Sequence, residues 1–225
     1  MASSCKYFIA KTFAHTAAGI GIAAISADNP VLYAALKKQL RIPGLSEIMI
    51  FVATIALVFI LPIMTPNTPL KYAAAIAFSF LIGQMSGPLV KALDEKNILA
   101  RTLFMATGVF VGMVLVGLYD KNNMLGFGPY LVGALLGLII AQGILFILEA
   151  TTTIKKKQYF QGAKVLSFFG VGLFSLFAAY DTQVVKMHAR TCKKQGDYID
   201  ESTGLFLDFV NLFQNIGVVG LLEDN

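Results

Sequence analysis

Seven apolar runs, each close to the length of a membrane span, limit what this chain can fold into. A membrane-spanning helix needs about 20 mostly apolar residues. Scanning for runs of that kind predicts helices at 7–27, 48–64, 72–93, 98–119, 125–148, 165–185 and 203–222. The sequence therefore predicts an all-α integral membrane protein built as a bundle of seven transmembrane helices.

The composition agrees with a membrane protein. Hydrophobic residues make up 56% of the chain and charged residues 14%, and the mean hydropathy is +0.71. Soluble domains carry about 25% charged residues, so this apolar excess is too large for one soluble core. The first run lacks a small-residue cleavage site and is predicted to be a membrane helix, not a cleaved signal.

The short predicted loops indicate one polytopic domain over residues 1–225. Small residues recur every four positions in three spans, which predicts faces where another helix backbone approaches closely. These faces are Ala75, Ser79, Gly83 and Gly87 in the third span, Gly108 and Gly112 in the fourth, and Gly133 and Gly137 in the fifth. Pro88 is predicted to kink or end the third helix.

Several classes of function find no support in the sequence. The net charge is +5, and Lys155–Lys157 is the main basic tract, so nucleic acid is not expected as a partner. Cys5 and Cys192 are predicted to be free thiols. Paired histidines at helical spacing, a Cys-x-x-Cys pair, a phosphate-binding loop and a Gly-x-Ser-x-Gly elbow are all absent from the sequence. We therefore predict a protein that is not an enzyme and has no cofactor.

Two carboxylates stand out because they lie in apolar runs. Asp181 closes the sixth run, and Asp208 lies inside the seventh. An Asp at the centre of a membrane helix costs about 2.5–3.5 kcal/mol on insertion scales. Residues four, seven and eleven positions apart share one helix face, so Gly204, Asp208, Asn211 and Asn215 form a polar stripe. Such a stripe should face the interior, which predicts a central last helix.

The loop between the last two spans allows Asp181 and Asp208 to lie at similar depth. If they are close, both cannot ionise cheaply, and the pair would share a proton. Such a pair could form a proton-operated latch or a site for a hard cation such as Ca²⁺, which prefers oxygen ligands. The side chains predicted to support it are Thr182, Gln183, Asn211 and Asn215. The alternatives are that Asp208 only bonds neighbouring helices and that Asp181 lies at the headgroups.

The remaining ionisable residues indicate less. His15 is interpreted as a packed or interfacial residue of the first span, and His188 as a solvated residue in a polar loop over 186–201. Arg101 and Lys164 lie at span ends, where long basic side chains reach toward the headgroups. Glu149 is likewise interpreted as an interface residue.

Both carboxylate segments resemble the signature of the transmembrane Bax inhibitor motif family. The similarity extends over about residues 6–222. The segments that carry it are Tyr180–Gln183, Asp197–Ile199, Leu205–Phe213 and 77–83 with Gly87 and Pro88. A compact chain of this kind would suit a minimal or virus-encoded member. The resemblance implies seven helices around a central last helix, and a pH-sensitive Ca²⁺ leak in which Asp181 and Asp208 are sensor and latch.

The resemblance also implies a role in restraining apoptosis by lowering the calcium stored in the endoplasmic reticulum. Bacterial relatives carry a basic residue late in the second helix that can pair with the two aspartates. Here residues 48–64 carry no charge, and Lys71 is the nearest candidate.

Three functions remain open from the sequence. The first is the Ca²⁺ leak, the second is Ca²⁺/H⁺ exchange by the same two aspartates, and the third is a non-conducting protein that binds apoptosis-regulating membrane proteins. The expected partners are the lipid bilayer, Ca²⁺ and protons. The expected location is the endoplasmic reticulum or another internal membrane, with the mitochondrial inner membrane and the plasma membrane as alternatives.

Overall fold

The computed structural model describes residues 7–29, 35, 45–120, 124–151, 154–191 and 196–223. Cys5 and Cys192, predicted to be free thiols, lie outside these residues. The longer helices of the described residues are α1 (Phe8–Asp28), α2 (Leu45–Ile60), α3 (Pro69–Glu95), α4 (Leu99–Tyr119), α5 (Gly128–Ala150), α6 (Lys156–Thr191) and α7 (Tyr198–Glu223). Short 3-10 turns follow α2 at Leu61–Ile63 and precede α5 at Met124–Phe127.

This architecture confirms the predicted all-α membrane fold. Within the described ranges, six helices are long and apolar enough to cross a membrane, and α2, with 16 residues, is shorter. The chain is a multi-pass membrane protein. In α7, 56% of the most apolar stretch is buried, against 11–33% in the other five spans, so the last helix is the most enclosed, as predicted.

The structure refines three predictions about helix ends. The α-helical part of the second span ends at Ile60, before Leu61-Pro62, and a 3-10 turn continues it to Ile63. A residue that precedes proline disfavours the helical conformation, which explains the earlier end. Helix α3 continues past Pro88 to Glu95, so this proline does not end it. The predicted polar loop over 186–201 is shorter, because α6 continues to Thr191 and α7 begins at Tyr198.

The chain forms two compact units. One consists of Met1–Lys91 and Val185–Phe206, and the other of Ala92–Val184 and Leu207–Asn225. Helices α6 and α7 each contribute residues to both units. The single domain over residues 1–225 stays a prediction.

In the first unit, α1 and α3 meet along the small residues that the sequence singled out. A Cβ atom on Gly83 would collide with the Ala23 carbonyl and lie 2.8 Å from the Ser26 Cβ. A hydrogen bond lies beside this contact, because the Gln84 amide donates to the Ser26 carbonyl oxygen at 2.7 Å. Glycine at position 83 therefore allows the two backbones to approach, as predicted for this face.

In the second unit, the predicted glycine faces of α4 and α5 do not pack against other helices. A Cβ atom added to Gly108, Gly112, Gly133 or Gly137 would meet nothing within 4 Å among the described residues. Close packing occurs at Gly117, where an added Cβ would lie 2.7 Å from the Thr182 Cβ. The four-residue spacing was misleading here, since it cannot tell which face of a helix has a neighbour.

We expect Gly83→Ala to destabilise the protein by about 1–3 kcal/mol, because overpacking a tight contact shifts backbone and side chains. Gly21→Ala is the matched control. Gly21 lies on α1 in the same unit, and an added Cβ would meet nothing within 4 Å. Thermal unfolding of both variants in detergent tests the contact. Equal melting temperatures for the two variants would show that the close approach at Gly83 is not needed.

Candidate ion site

Asp181 and Asp208 are brought together in the second unit. Their carboxyl groups lie within hydrogen-bonding reach of each other. Asp208 is almost fully enclosed, with 5% of its surface exposed, and Asp181 is half-buried. The sequence left their separation open, and the structure brings the two side chains together. We call them the carboxylate pair.

The link between the two carboxyl groups has a chemical consequence. An ionised carboxylate has no hydrogen to donate, so a hydrogen bond between two carboxyl groups requires a proton on one of them. Without that proton two negative charges face each other. At a separation of 4 Å and an effective dielectric constant of 20, two unit charges interact by about 4 kcal/mol. The pair can therefore exist in a proton-linked state and in a mutually repelling one.

One oxygen of the pair receives no hydrogen bond from an N–H or hydroxyl group. Among the described residues, Asp208 Oδ2 is buried and lacks such a donor. Leaving a buried polar atom unpaired costs about 1–3 kcal/mol. An acceptor held in this way is chemically ready for a proton, a water molecule or a cation.

The turn of α6 that carries Asp181 is fixed by its neighbours on both sides. Tyr180 lies against Gly128, where an added Cβ would be 2.6 Å from the tyrosine hydroxyl. Thr182 is fully buried and packs on Gly117. The residues on either side of Asp181 are thus packed closely against two glycines, and a larger side chain at either glycine would displace this turn.

The four side chains predicted to support the pair each make a hydrogen bond to the backbone. Gln183 Oε1 accepts a hydrogen bond from the Met124 backbone N–H at 2.8 Å. The three other bonds run to carbonyls one turn earlier in the same helix: Thr182 to Ala178 at 2.7 Å, Asn211 to Leu207 at 2.8 Å, and Asn215 to Asn211 at 2.8 Å. These bonds satisfy polar groups within buried helices.

The predicted polar stripe on α7 is only one part of the buried surface of that helix. Asp208 and Asn215 are buried, but apolar residues around the helix are buried as well, such as Leu205, Phe209 and Leu212. The Asn215 amide occupies the space beside Gly170 on α6. The stripe therefore is not a single inward face, because α7 is enclosed on most sides.

The described residues contain no group of three or more His, Cys, Asp or Glu side chains arranged to hold a metal ion. The carboxylate pair supplies two acidic groups. Its proposed role as a ligand for Ca²⁺ stays a prediction.

Sequence comparisons place these residues in a known family. The family model described as "Inhibitor of apoptosis-promoting Bax1" matches residues 5–222, nearly the whole chain. The chain belongs to the Bax inhibitor family. The resemblance inferred from the two aspartate segments is thereby confirmed.

Relatives of this Bax inhibitor family member occur in bacteria and yeast. An uncharacterized protein of Deinococcus radiodurans is 27% identical over 97% of this chain and 92% of its own length. The inner membrane protein YbhL of Escherichia coli is 26% identical over 92% of this chain and 87% of its own length. Bax inhibitor 1 of Schizosaccharomyces pombe is 25% identical over 97% of this chain and 77% of its own length.

A second charged cluster of this Bax inhibitor family member was missed by sequence reasoning. Lys71 is fully buried at the start of α3, and its Nζ lies 2.5 Å from Asp197 Oδ2 and 2.6 Å from Asp200 Oδ1. We call these three residues the lysine cluster. Lys71 was the nearest candidate for a basic partner of the carboxylate pair, and the structure instead places it on Asp197 and Asp200.

Aromatic side chains follow two members of the lysine cluster in the sequence and contact one another. The Tyr72 and Tyr198 hydroxyls are hydrogen-bonded to each other. The His15 ring stacks on Tyr198 at a centroid distance of 5.2 Å and an interplanar angle of 12°. His15 is thus a packed residue, as one of its two interpretations held. His188 lies on α6 and not in a loop, and its Nδ1 is 2.5 Å from Glu201 Oε1.

The sequence carried a weak signal for the lysine cluster. Asp197 immediately precedes α7 and Asp200 lies in its first turn, three residues on, so both can face the same neighbour. Their assignment to a polar loop hid this spacing. The partner could not be read from the sequence, since Lys71 is more than a hundred residues away along the chain.

Proposed function

We propose that the protein is a Ca²⁺ leak of an internal membrane, gated by a proton shared between Asp181 and Asp208. The observation that carries this proposal is the close approach of two carboxyl groups, one of them buried on the most enclosed of the six described spans. Ionisable residues inside membrane spans are costly, and they usually mark ion or proton paths. Two acidic groups held together in such spans therefore favour a function in transport.

The gating follows from the chemistry of the pair. With one shared proton, the hydrogen bond holds α6 to α7 and the path is closed. When the proton leaves, two like charges repel and the helices separate at this level. The freed carboxylates then offer hard oxygen ligands to a passing Ca²⁺. The cation is cargo and binds only briefly, so the site needs no complete set of permanent ligands.

The family membership supports the cellular role that we propose. The family is described by inhibition of apoptosis-promoting Bax1, and the relative in Schizosaccharomyces pombe is named Bax inhibitor 1. A leak that lowers stored calcium in the endoplasmic reticulum would restrain apoptosis. The relative in Escherichia coli is an inner membrane protein. A leak of this kind could work in any membrane across which the Ca²⁺ concentration differs.

Proteoliposomes with an internal calcium indicator test the proposal. We expect Ca²⁺ influx to increase as the pH is raised, since deprotonation separates the carboxylate pair. Influx should persist when an ionophore abolishes the pH gradient. A flux that does not change with pH would contradict the proposed gate.

The same measurement separates the leak from the two other functions. An exchanger would move protons out of the vesicle as Ca²⁺ enters. Its Ca²⁺ uptake would stop without a proton gradient, and the luminal pH would rise in proportion to the Ca²⁺ taken up. A non-conducting interaction protein would give the flux of empty vesicles at every pH. Either result would reject the leak.

A further inference from the structure

A groove in the second unit is not used by the proposed gate. It lies between α4, α6 and α7 and has a volume of about 560 Å³. That volume falls within the range of about 300–1,000 Å³ that is typical of small-molecule sites. Its walls are largely apolar, with Phe104, Met105, Phe168, Val171 and Ile216 among the lining residues.

The groove opens outward from membrane-spanning helices. Phe104 on its wall is 81% exposed, and it belongs to the span Leu99–Tyr119. A side chain so exposed within a membrane span faces lipid. Gly108 deepens the groove, since a Cβ atom added there would meet nothing within 4 Å. The groove is thus accessible to an acyl chain of the surrounding bilayer.

One end of the groove carries two opposite charges. Arg101, in the first turn of α4, and Glu223, the last residue of α7, both line it. Lys96 is nearby and donates from Nζ to the Leu221 carbonyl oxygen at 3.2 Å. The start of α4 and the end of α7 both lie where the apolar spans stop, which is the depth of the lipid headgroups.

We propose that this groove binds phosphatidylethanolamine. The phosphate would contact Arg101, the primary ammonium would donate hydrogen bonds to Glu223, and one acyl chain would fill the apolar groove. A headgroup with only negative charge would be opposed by Glu223. A choline headgroup has no N–H to donate to that carboxylate. We call this the headgroup groove.

Native mass spectrometry of delipidated protein, titrated with phosphatidylethanolamine, phosphatidylcholine and phosphatidylglycerol, tests the proposal. We expect phosphatidylethanolamine to bind most tightly. Gly108→Leu should fill the groove and weaken this binding by about ten-fold, since it removes the apolar contact of a whole acyl segment. Gly112→Leu is the matched control: it lies one turn further along α4, has nothing within 4 Å, and is not part of the lining.

Substitutions of the charged residues test headgroup recognition separately from acyl-chain binding. Glu223→Gln should reduce the preference for phosphatidylethanolamine over phosphatidylcholine by about three-fold, as expected of an exposed ion pair. Arg101→Gln should weaken all three phospholipids, and Lys157→Gln on α6 is its control. Preference for phosphatidylglycerol, equal binding of the three lipids, or equal behaviour of Gly108→Leu and Gly112→Leu would each overturn the proposal.

Discussion

Replacing Asp208 by asparagine should abolish the pH dependence of Ca²⁺ flux and keep the flux at its low-pH level. The asparagine amide can donate a hydrogen bond to the Asp181 carboxylate, so the link remains but carries no exchangeable charge. Flux at high pH should fall by about ten-fold or more, because the repulsion that separates the wild-type pair exceeds about 1.4 kcal/mol. Ca²⁺ influx into proteoliposomes, measured across a pH series, tests this expectation.

Two further variants separate loss of the gate from loss of charge. Asp208→Ala removes the link, and we expect influx at every pH. Glu149→Gln removes one carboxylate from α5 in the same unit and should leave the wild-type pH profile. If Asp208→Asn also retained the wild-type profile, the carboxylate pair would not be the gate.

Replacing Lys71 by methionine should destabilise the protein strongly, because it leaves Asp197 and Asp200 without their cation. Removing one partner of a fully buried pair costs about 3–5 kcal/mol. The side chains of Asp197 and Asp200 are 16% and 31% exposed, so we expect the lower figure of about 2–4 kcal/mol. For a chain of this size, that corresponds to a loss of roughly 5–15 °C in melting temperature.

A compensating variant identifies the cause of this loss. Adding Asp197→Asn and Asp200→Asn to Lys71→Met removes the unpaired charges and should recover much of the stability. Lys157→Met, on an exposed part of α6, should melt like the wild type. If the triple variant were no more stable than Lys71→Met alone, packing of the lysine stem and not charge pairing would explain the effect.

The spans and the carboxylate pair could be predicted from the sequence because both depend on local composition. Apolar runs of bilayer length show a membrane helix whatever its neighbours are. Asp208 stands out for the same reason, as an ionisable residue inside such a run. Its closeness to Asp181 was only permitted by the loop between their two helices, since packing decides how near the two side chains come.

Contacts between distant segments could not be predicted in the same way. The partner of Asp197 and Asp200 is Lys71, which lies in another helix. The glycines of α4 show the same limit: Gly117 packs on α6, whereas a Cβ atom added at Gly108 or Gly112 would meet nothing within 4 Å. Four-residue spacing marks a smooth face, but only the arrangement of the other helices decides whether that face is covered.

The length of α6 would give the proposed gate a sidedness. With 36 residues, α6 is roughly 54 Å long, well above the hydrocarbon thickness of about 30 Å. Asp181 lies ten residues before its end at Thr191, or roughly 15 Å, and much farther from its start at Lys156. A proton path to Asp181 would therefore be short from one aqueous compartment and long from the other. The Ca²⁺ flux of such a leak would then respond to the pH of one compartment only, although Ca²⁺ passes between two.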